Sequence, residues 1–161
     1  MNQAIQEQPG TKTTERPLYS PGLEGVIAGE SALCQVDEGE AGLRYRGYAI
    51  GDLAKWSRFE EVAYLLLIGH LPTRSKLDSF STLLRGHRVL PDPVQRFIDS
   101  LQPGLHPMDV LRTGISLLGL SDPDAQDGSH EANLRKSMRL LSQIPLLIAH
   151  SYRVMSGTVP H

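Results

Sequence analysis

Residues 130–156 read HEANLRKSMRLLSQIPLLIAHSYRVMS, the longest run in the chain that keeps one helical pattern. Leu134, Met138, Leu141, Pro145, Ile148, Tyr152 and Met155 follow one another at alternating spacings of four and three. Residues at that spacing share one side of an α-helix, and sustained over about three heptads they form an a/d seam. Gly157 supplies a stop, because glycine enters the left-handed conformation that closes a helix without a steric penalty. Pro145 removes a backbone donor inside the run, so a bend after about Leu141 is expected.

Upstream the same grammar repeats. Pro107 opens a helix to about Gly119, with Met108, Leu111, Ile115 and Leu118 on one stripe. Asp92 and Pro93 suit the cap and first turn of a short helix through Leu101. Thr73 caps a helix whose apolar face is Leu77, Phe80, Leu83 and Leu84, with Gly86 at its end. Ser57-Arg58-Phe59-Glu60 has the S-x-x-E form of a capping box before Val62–Ile68, and Gly69 closes that helix. Ahead of the helices, Leu23–Ala28, Ser31–Val36 and Gly42–Arg46 are short β-compatible segments, separated in part by the turn residues Asp37–Glu40. Residues 1–20 are polar and proline-bearing, which predicts a loose leader before a body over 21–161. The expected fold is mainly α with a small N-terminal β flap.

Composition narrows the function classes. Sixteen Lys and Arg against 18 Asp and Glu leave a formal charge of −2, which argues against a nucleic-acid binder. Cys34 is the single cysteine, so neither an internal disulfide nor an all-cysteine zinc site can form. The longest stretch free of charged residues, Leu140–Tyr152, is well short of the ~20 residues of a membrane span. No basic segment followed by an apolar one opens the chain, so a cytoplasmic protein is expected.

The residue types that carry chemistry are present, but their spacing is uninformative. His70, His87, His106, His130, His150 and His161 include no H-x-x-x-H pair, so no two of them share a helical face for a metal. His70 and His87 each follow a glycine at a helix end, where a dipole or carbonyl contact accounts for them. The acidic run Asp122–Gly128 misses the calcium-loop register, with Gln126 and Asp127 at the fifth and sixth positions and Asn133 at the twelfth. It reads as a solvated loop. Glu38/Glu40 and Glu60/Glu61 lie in a turn and a first helical turn, where negative charge needs no catalytic reason. Arg44, Arg46, Lys55 and Arg58 form one basic group, and Arg135, Lys136 and Arg139 another. Either could meet a carboxylate or phosphate, but solvated faces are the simpler reading. Phosphate-cradling glycine motifs and the G-x-S-x-G elbow are missing despite 15 glycines. No catalytic residue, cofactor site or metal site is assigned.

Several stretches together resemble the citrate synthase family, in its short bacterial or archaeal form that makes citrate or 2-methylcitrate. They are Gly22–Ala28, Leu43–Ala54, Phe59–Thr73, His106–Thr113 and Arg139–Ala149 with Tyr152-Arg153. Their order and spacing follow the family's amino-terminal region from about residue 20 onward. The resemblance implies a helical acyltransferase of the tricarboxylic acid cycle. It condenses oxaloacetate with acetyl-CoA, a substrate, to give citrate and CoA, and needs no metal. In the family an aspartate removes the thioester methyl proton and histidines stabilise the enol and polarise the ketoacid. That is the positioned base and preorganised oxyanion stabilisation that a weakly acidic C–H requires. The family's catalytic histidine and aspartate segments lie downstream of the matched region, so none of the six histidines inherits a role, and the chain is expected to be inactive alone. The resemblance also implies a homodimer, with the helices at 107–119 and 130–156 meeting a second synthase-like subunit. Thr113, Gly114 and Ser116 are small enough for a close helix approach. The alternative is that both faces pack within the chain.

Overall fold

The computed structural model describes residues 29–36 and 42–158. The chain divides into Met1–Ser31 and Ala32–His161, and every described strand and helix belongs to the second unit. The expected leader, the strand at Leu23–Ala28, the Glu38/Glu40 pair and His161 fall outside the described residues.

Three short antiparallel strands open the unit: β1 (Cys34–Val36), β2 (Leu43–Tyr45) and β3 (Tyr48–Ala49), in the order β1-β2-β3. Cys34 faces Tyr45 and Val36 faces Leu43 across the first pair, and Tyr45 faces Tyr48 across the second. The β2–β3 link is the two-residue turn Arg46-Gly47, at φ 47° and 87°. Positive φ at both central residues is the I′ pattern that matches strand twist. The Arg46 N–H donates to the Leu33 carbonyl at 2.9 Å, which ties that turn to the residue before β1.

Among the described residues six helices follow: α1 (Ile50–Trp56), α2 (Phe59–Ile68), α3 (Arg74–Gly86), α4 (Asp92–Asp99), α5 (Pro107–Leu120) and α6 (His130–Met155). Their ends show what the sequence encodes. Gly69 closes α2 at φ 100°, Thr73 Oγ1 accepts from the Lys76 N–H, and Ser129 Oγ accepts from the Ala132 N–H at 3.2 Å. Two caps differ from expectation by one residue. The N-cap of α2 is Arg58, whose N–H donates to the Glu61 carboxylate at 2.7 Å, while Ser57 closes α1. The N-cap of α4 is Pro91, which places Asp92 inside the first turn, where its charge meets the helix dipole.

Two buried clusters meet on α6. Val94 and Ile98 of α4, Leu118 of α5 and Leu147 of α6 form one; Ala63 of α2 with Phe80 and Leu84 of α3 form the other, flanked by Met138 and Leu141 of α6. Helix α6 is therefore the common wall of both, and it runs through Pro145 without interruption. The expected a/d seam does not act as one surface. Met138 and Leu141 pack inside the chain, whereas Ile148 and Tyr152 are exposed. Leu140, Ile144, Leu147 and Val154, mostly on a different stripe, face α4 and α5.

Gly114 explains why α5 sits so close. A Cβ there would lie 2.6 Å from both Leu147 methyls and 3.1 Å from Leu147 Cγ. The close approach read from Thr113, Gly114 and Ser116 thus serves the chain's own α6 at Gly114. Thr113 and Ser116 are exposed, their hydroxyls donating to the Asp109 and Arg112 carbonyls.

Because Leu147 is fully buried and its Cγ is itself too near, a methyl swing cannot clear the overlap. Gly114→Ala is expected to destabilise the fold by about 1–3 kcal/mol in urea titrations, despite the better helix propensity of alanine. In a Leu147→Ala background the same change should be neutral or stabilising. Equal losses in the two backgrounds would show that the Gly114–Leu147 contact is not the constraint.

Candidate functional site

Helix α6 carries a charged clamp near its start and lines several grooves, two of them wholly apolar but for serines; the others include Asp122 and Lys136, and Glu60 and Arg88. The clamp joins its first half to the loop that precedes it. Arg139 holds Asp122 with two hydrogen bonds, Nε to Oδ2 at 2.9 Å and Nη2 to Oδ1 at 2.7 Å, and reaches Asp124 Oδ2 at 2.6 Å. Arg135 holds Asp124 in the same paired fashion, at 3.0 and 2.7 Å. Such forked pairs match the planar guanidinium to the planar carboxylate and fix geometry as well as charge. Hydrogen bonds from Arg135 and then Arg139 hold the Asp124 carboxyl far below the usual carboxylate range, against a smaller opposing effect of burial. Asp127 is lowered as well, chiefly by the Ser129 N–H that donates to its carboxylate at 2.8 Å. Lys136 Nζ donates to the Asp127 carbonyl at 2.6 Å. The loop expected to be solvated is therefore locked, and its arginines are not a free basic face.

Two of the grooves are apolar. The first, of ≈ 470 Å³, runs between Phe59, Ala63, Leu66 and Leu67 of α2 and Ser137, Leu140, Leu141, Ile144 and Pro145 of α6. The second, of ≈ 260 Å³, lies between Pro107, Met108, Val110 and Leu111 of α5 and Leu147, Ile148, Ser151, Tyr152 and Met155 of α6. Neither is lined by a carboxylate or an imidazole, so each is built to cover apolar surface and not to move protons. Exposed apolar side chains rim them: Phe59 at the first, Met108, Ile148 and Tyr152 at the second. Surfaces of that kind mark contact sites.

The histidines are scattered and mostly structural. His106 caps α5, its Nδ1 accepting from the Met108 N–H at 3.3 Å. His87 closes α3, His70 contacts the Leu71 carbonyl at 3.0 Å beside Tyr64, and His130 begins α6. His150 is half-buried on α6. Of the early basic group, Arg44 donates to the Gly47 carbonyl, Arg46 forms the hairpin turn, Lys55 lies 4.6 Å from the centre of the Trp56 ring and Arg58 caps α2. They do not converge on one point. Among the described residues no three of His, Cys, Asp and Glu gather to hold a metal ion, and no helix is long and apolar enough to cross a membrane.

The fold recurs in solved structures. Citrate synthase from Pyrobaculum aerophilum superposes with a TM-score of 0.79 at 30% identity, over 96% of this chain and 42% of that one. Citrate synthase from Thermotoga maritima MSB8 does so with a TM-score of 0.74 at 35% identity, over 86% and 36%. A family model described as "Citrate synthase, C-terminal domain" matches residues 22–161. The chain belongs to the citrate synthase family. Among curated members, the 2-methylcitrate synthase of Shewanella oneidensis is 42% identical over 138 residues, 86% of this chain and 36% of that protein. This citrate synthase family chain thus spans little more than a third of the length of these relatives. It shares with the solved synthases its helical scaffold, small sheet included.

Sequence reasoning missed the clamp, although Arg135 and Arg139 sit four apart behind an acidic loop, which is the available signal. A carboxylate held below its ordinary range stabilises the folded state fully above the unfolded value, near pH 4, and loses that effect as pH falls further. Asp124→Asn is therefore expected to lower the urea midpoint by a constant amount above about pH 5, with the difference shrinking below about pH 4. A difference that grows on acidification would contradict the clamp.

Proposed function

We propose that this chain supplies the amino-terminal helical part of a citrate- or 2-methylcitrate-forming synthase, an acyltransferase acting in the cytoplasm. The reaction joins the α-carbon of an acyl-CoA thioester to the carbonyl carbon of oxaloacetate, and hydrolysis of the thioester releases CoA. Both acetyl and propionyl donors fit the reading, because the relatives carry both names. The proton-moving groups come from residues outside this chain, and the chain's own contribution is a surface on which they are assembled. It associates with a second synthase-like subunit through α5 and α6, and it uses no metal or bound cofactor.

The observation that carries this reading is a conjunction. A family match over residues 22–161 coincides with two apolar grooves along α6 that hold no acid–base group. Apolar linings of that extent are stabilised when another helical layer covers them. A second reading, a non-catalytic helical module that binds an intact synthase, is favoured by the exposure of Ile148 and Tyr152 on the outer side of α6.

One assay separates the two. The purified chain, given oxaloacetate with acetyl-CoA or propionyl-CoA, is expected to release no CoA. Mixed with Thermotoga maritima citrate synthase from which the region matching this chain has been removed, it is expected to restore CoA release. A module of the second kind would restore nothing and would instead alter the rate of an intact synthase. CoA release by the chain alone would refute both.

A further inference from the structure

We propose that Asp127-Gly128, in the link between α5 and α6, is a self-modification site, where the Gly128 nitrogen closes on the Asp127 side chain to give a cyclic imide and then an isoaspartate. The Ser129 N–H is the contact that holds this reaction back.

The nucleophile is open. Asp127-Gly128 is the single Asp-Gly of the chain, and no Asn-Gly occurs. Glycine leaves the attacking nitrogen unhindered, and a Cβ added at Gly128 would meet no heavy atom within 4 Å beyond its chain neighbours. Both residues are exposed, and no hydrogen bond of the Gly128 N–H occurs among the described residues. Solvent can therefore take its proton.

The electrophile is guarded. Ring closure forms a bond from the Gly128 nitrogen to Asp127 Cγ, and one carboxyl oxygen leaves as water. That departure requires a protonated carboxyl group. Asp127 Oδ1 accepts from the Ser129 N–H at 2.8 Å, which favours the ionised form and anchors the group two residues along the chain. The contact is local and exposed. Asp122 and Asp124, by comparison, are gripped by Arg135 and Arg139 and are followed by Pro123 and Ala125.

The product has a place prepared for it. Water that opens the imide at the former Asp127 backbone carbonyl routes the chain through Cγ and leaves a free carboxylate on Cα. Closure releases one water and opening takes one up, so the net change is an isomerisation. Lys136 Nζ already donates to that carbonyl oxygen at 2.6 Å, so the new carboxylate forms facing a cation. The Ser129 N–H loses its carboxylate acceptor in the same step, and Ser129 is the N-cap of α6. The modification thus loosens the entry of α6 and leaves the arginine clamp on Asp122 and Asp124 untouched.

Incubation of the full chain in neutral buffer, folded and in urea, tests the site. Tryptic cleavage yields the peptide from Thr113 to Arg135, in which electron-transfer fragmentation tells isoaspartate from aspartate at each position and the loss of one water marks the imide. Isoaspartate is expected at 127 and not at 122 or 124, on the order of tenfold more slowly in the folded chain than in urea. Ser129→Pro removes the N–H at a residue whose φ of −63° already suits proline, and should lose most of that protection. Ser129→Ala keeps the N–H but loses the capping hydroxyl, and should match the wild type. Equal rates in the folded and unfolded wild type would overturn the guard whatever the stability of the variants. A gain in Ser129→Ala as large as that in Ser129→Pro would overturn it as well, by assigning the effect to the lost cap. Absence of isoaspartate at 127 even in urea would remove the site itself.

Discussion

The Leu147 side chain lies over Gly114 with both methyls where a Cβ would stand, and that contact sets the separation of α5 from α6. Helix axes pack at a distance fixed by the side chains between them, so a single glycine lets two helices approach at the small end of the range. Leu147, Leu118, Val94 and Ile98 can form one closed cluster because of that approach. A larger residue at 114 would lift α5 away and open the cluster to water. The second groove depends on the same spacing, since its walls are the parts of α5 and α6 nearest the contact.

Helix α6 carries more of the fold than its own length suggests. It closes one cluster with α2 and α3 and another with α4 and α5, and the Gln143 amide holds the Val89 carbonyl of the α3–α4 link at 3.0 Å. Its start is anchored by the arginine–aspartate clamp, so the loop from α5 enters at a fixed angle. What remains is the outer side with Ile148 and Tyr152. The chain's own core has no use for it. An element that is buried on two sides, clamped at one end and apolar on its open side is suited to join one body to another.

Much of this architecture was legible in the sequence because helix punctuation is local. Gly69, Thr73, Pro107 and Gly157 act within a turn of their own position, the glycines by entering positive φ and Thr73 by accepting from the Lys76 N–H. The caps at Ser57 and Asp92 moved by one because a cap is decided by which residue leaves helical φ and ψ, and neighbouring elements govern that. The seam from Leu134 to Met155 was visible as a pattern, yet it does not say which partner covers each residue; Met138 and Leu141 found one inside the chain. The clamp spans 11 to 17 residues between loop and helix, beyond the reach of any periodicity. The family resemblance, by contrast, rested on motif order over nearly the whole chain, and the fold agrees with it.

Helix α6 is a shared wall, closed toward its own chain, and the proposed function needs it open toward a second subunit. Amide hydrogen exchange of the full chain at low and high protein concentration addresses that pairing of roles directly. Residues 108–111 and 148–155 are expected to gain protection as concentration rises, while residues 94–98 of α4, buried in the chain's own cluster, do not change. Protection of residues 108–111 and 148–155 that is independent of concentration would contradict it.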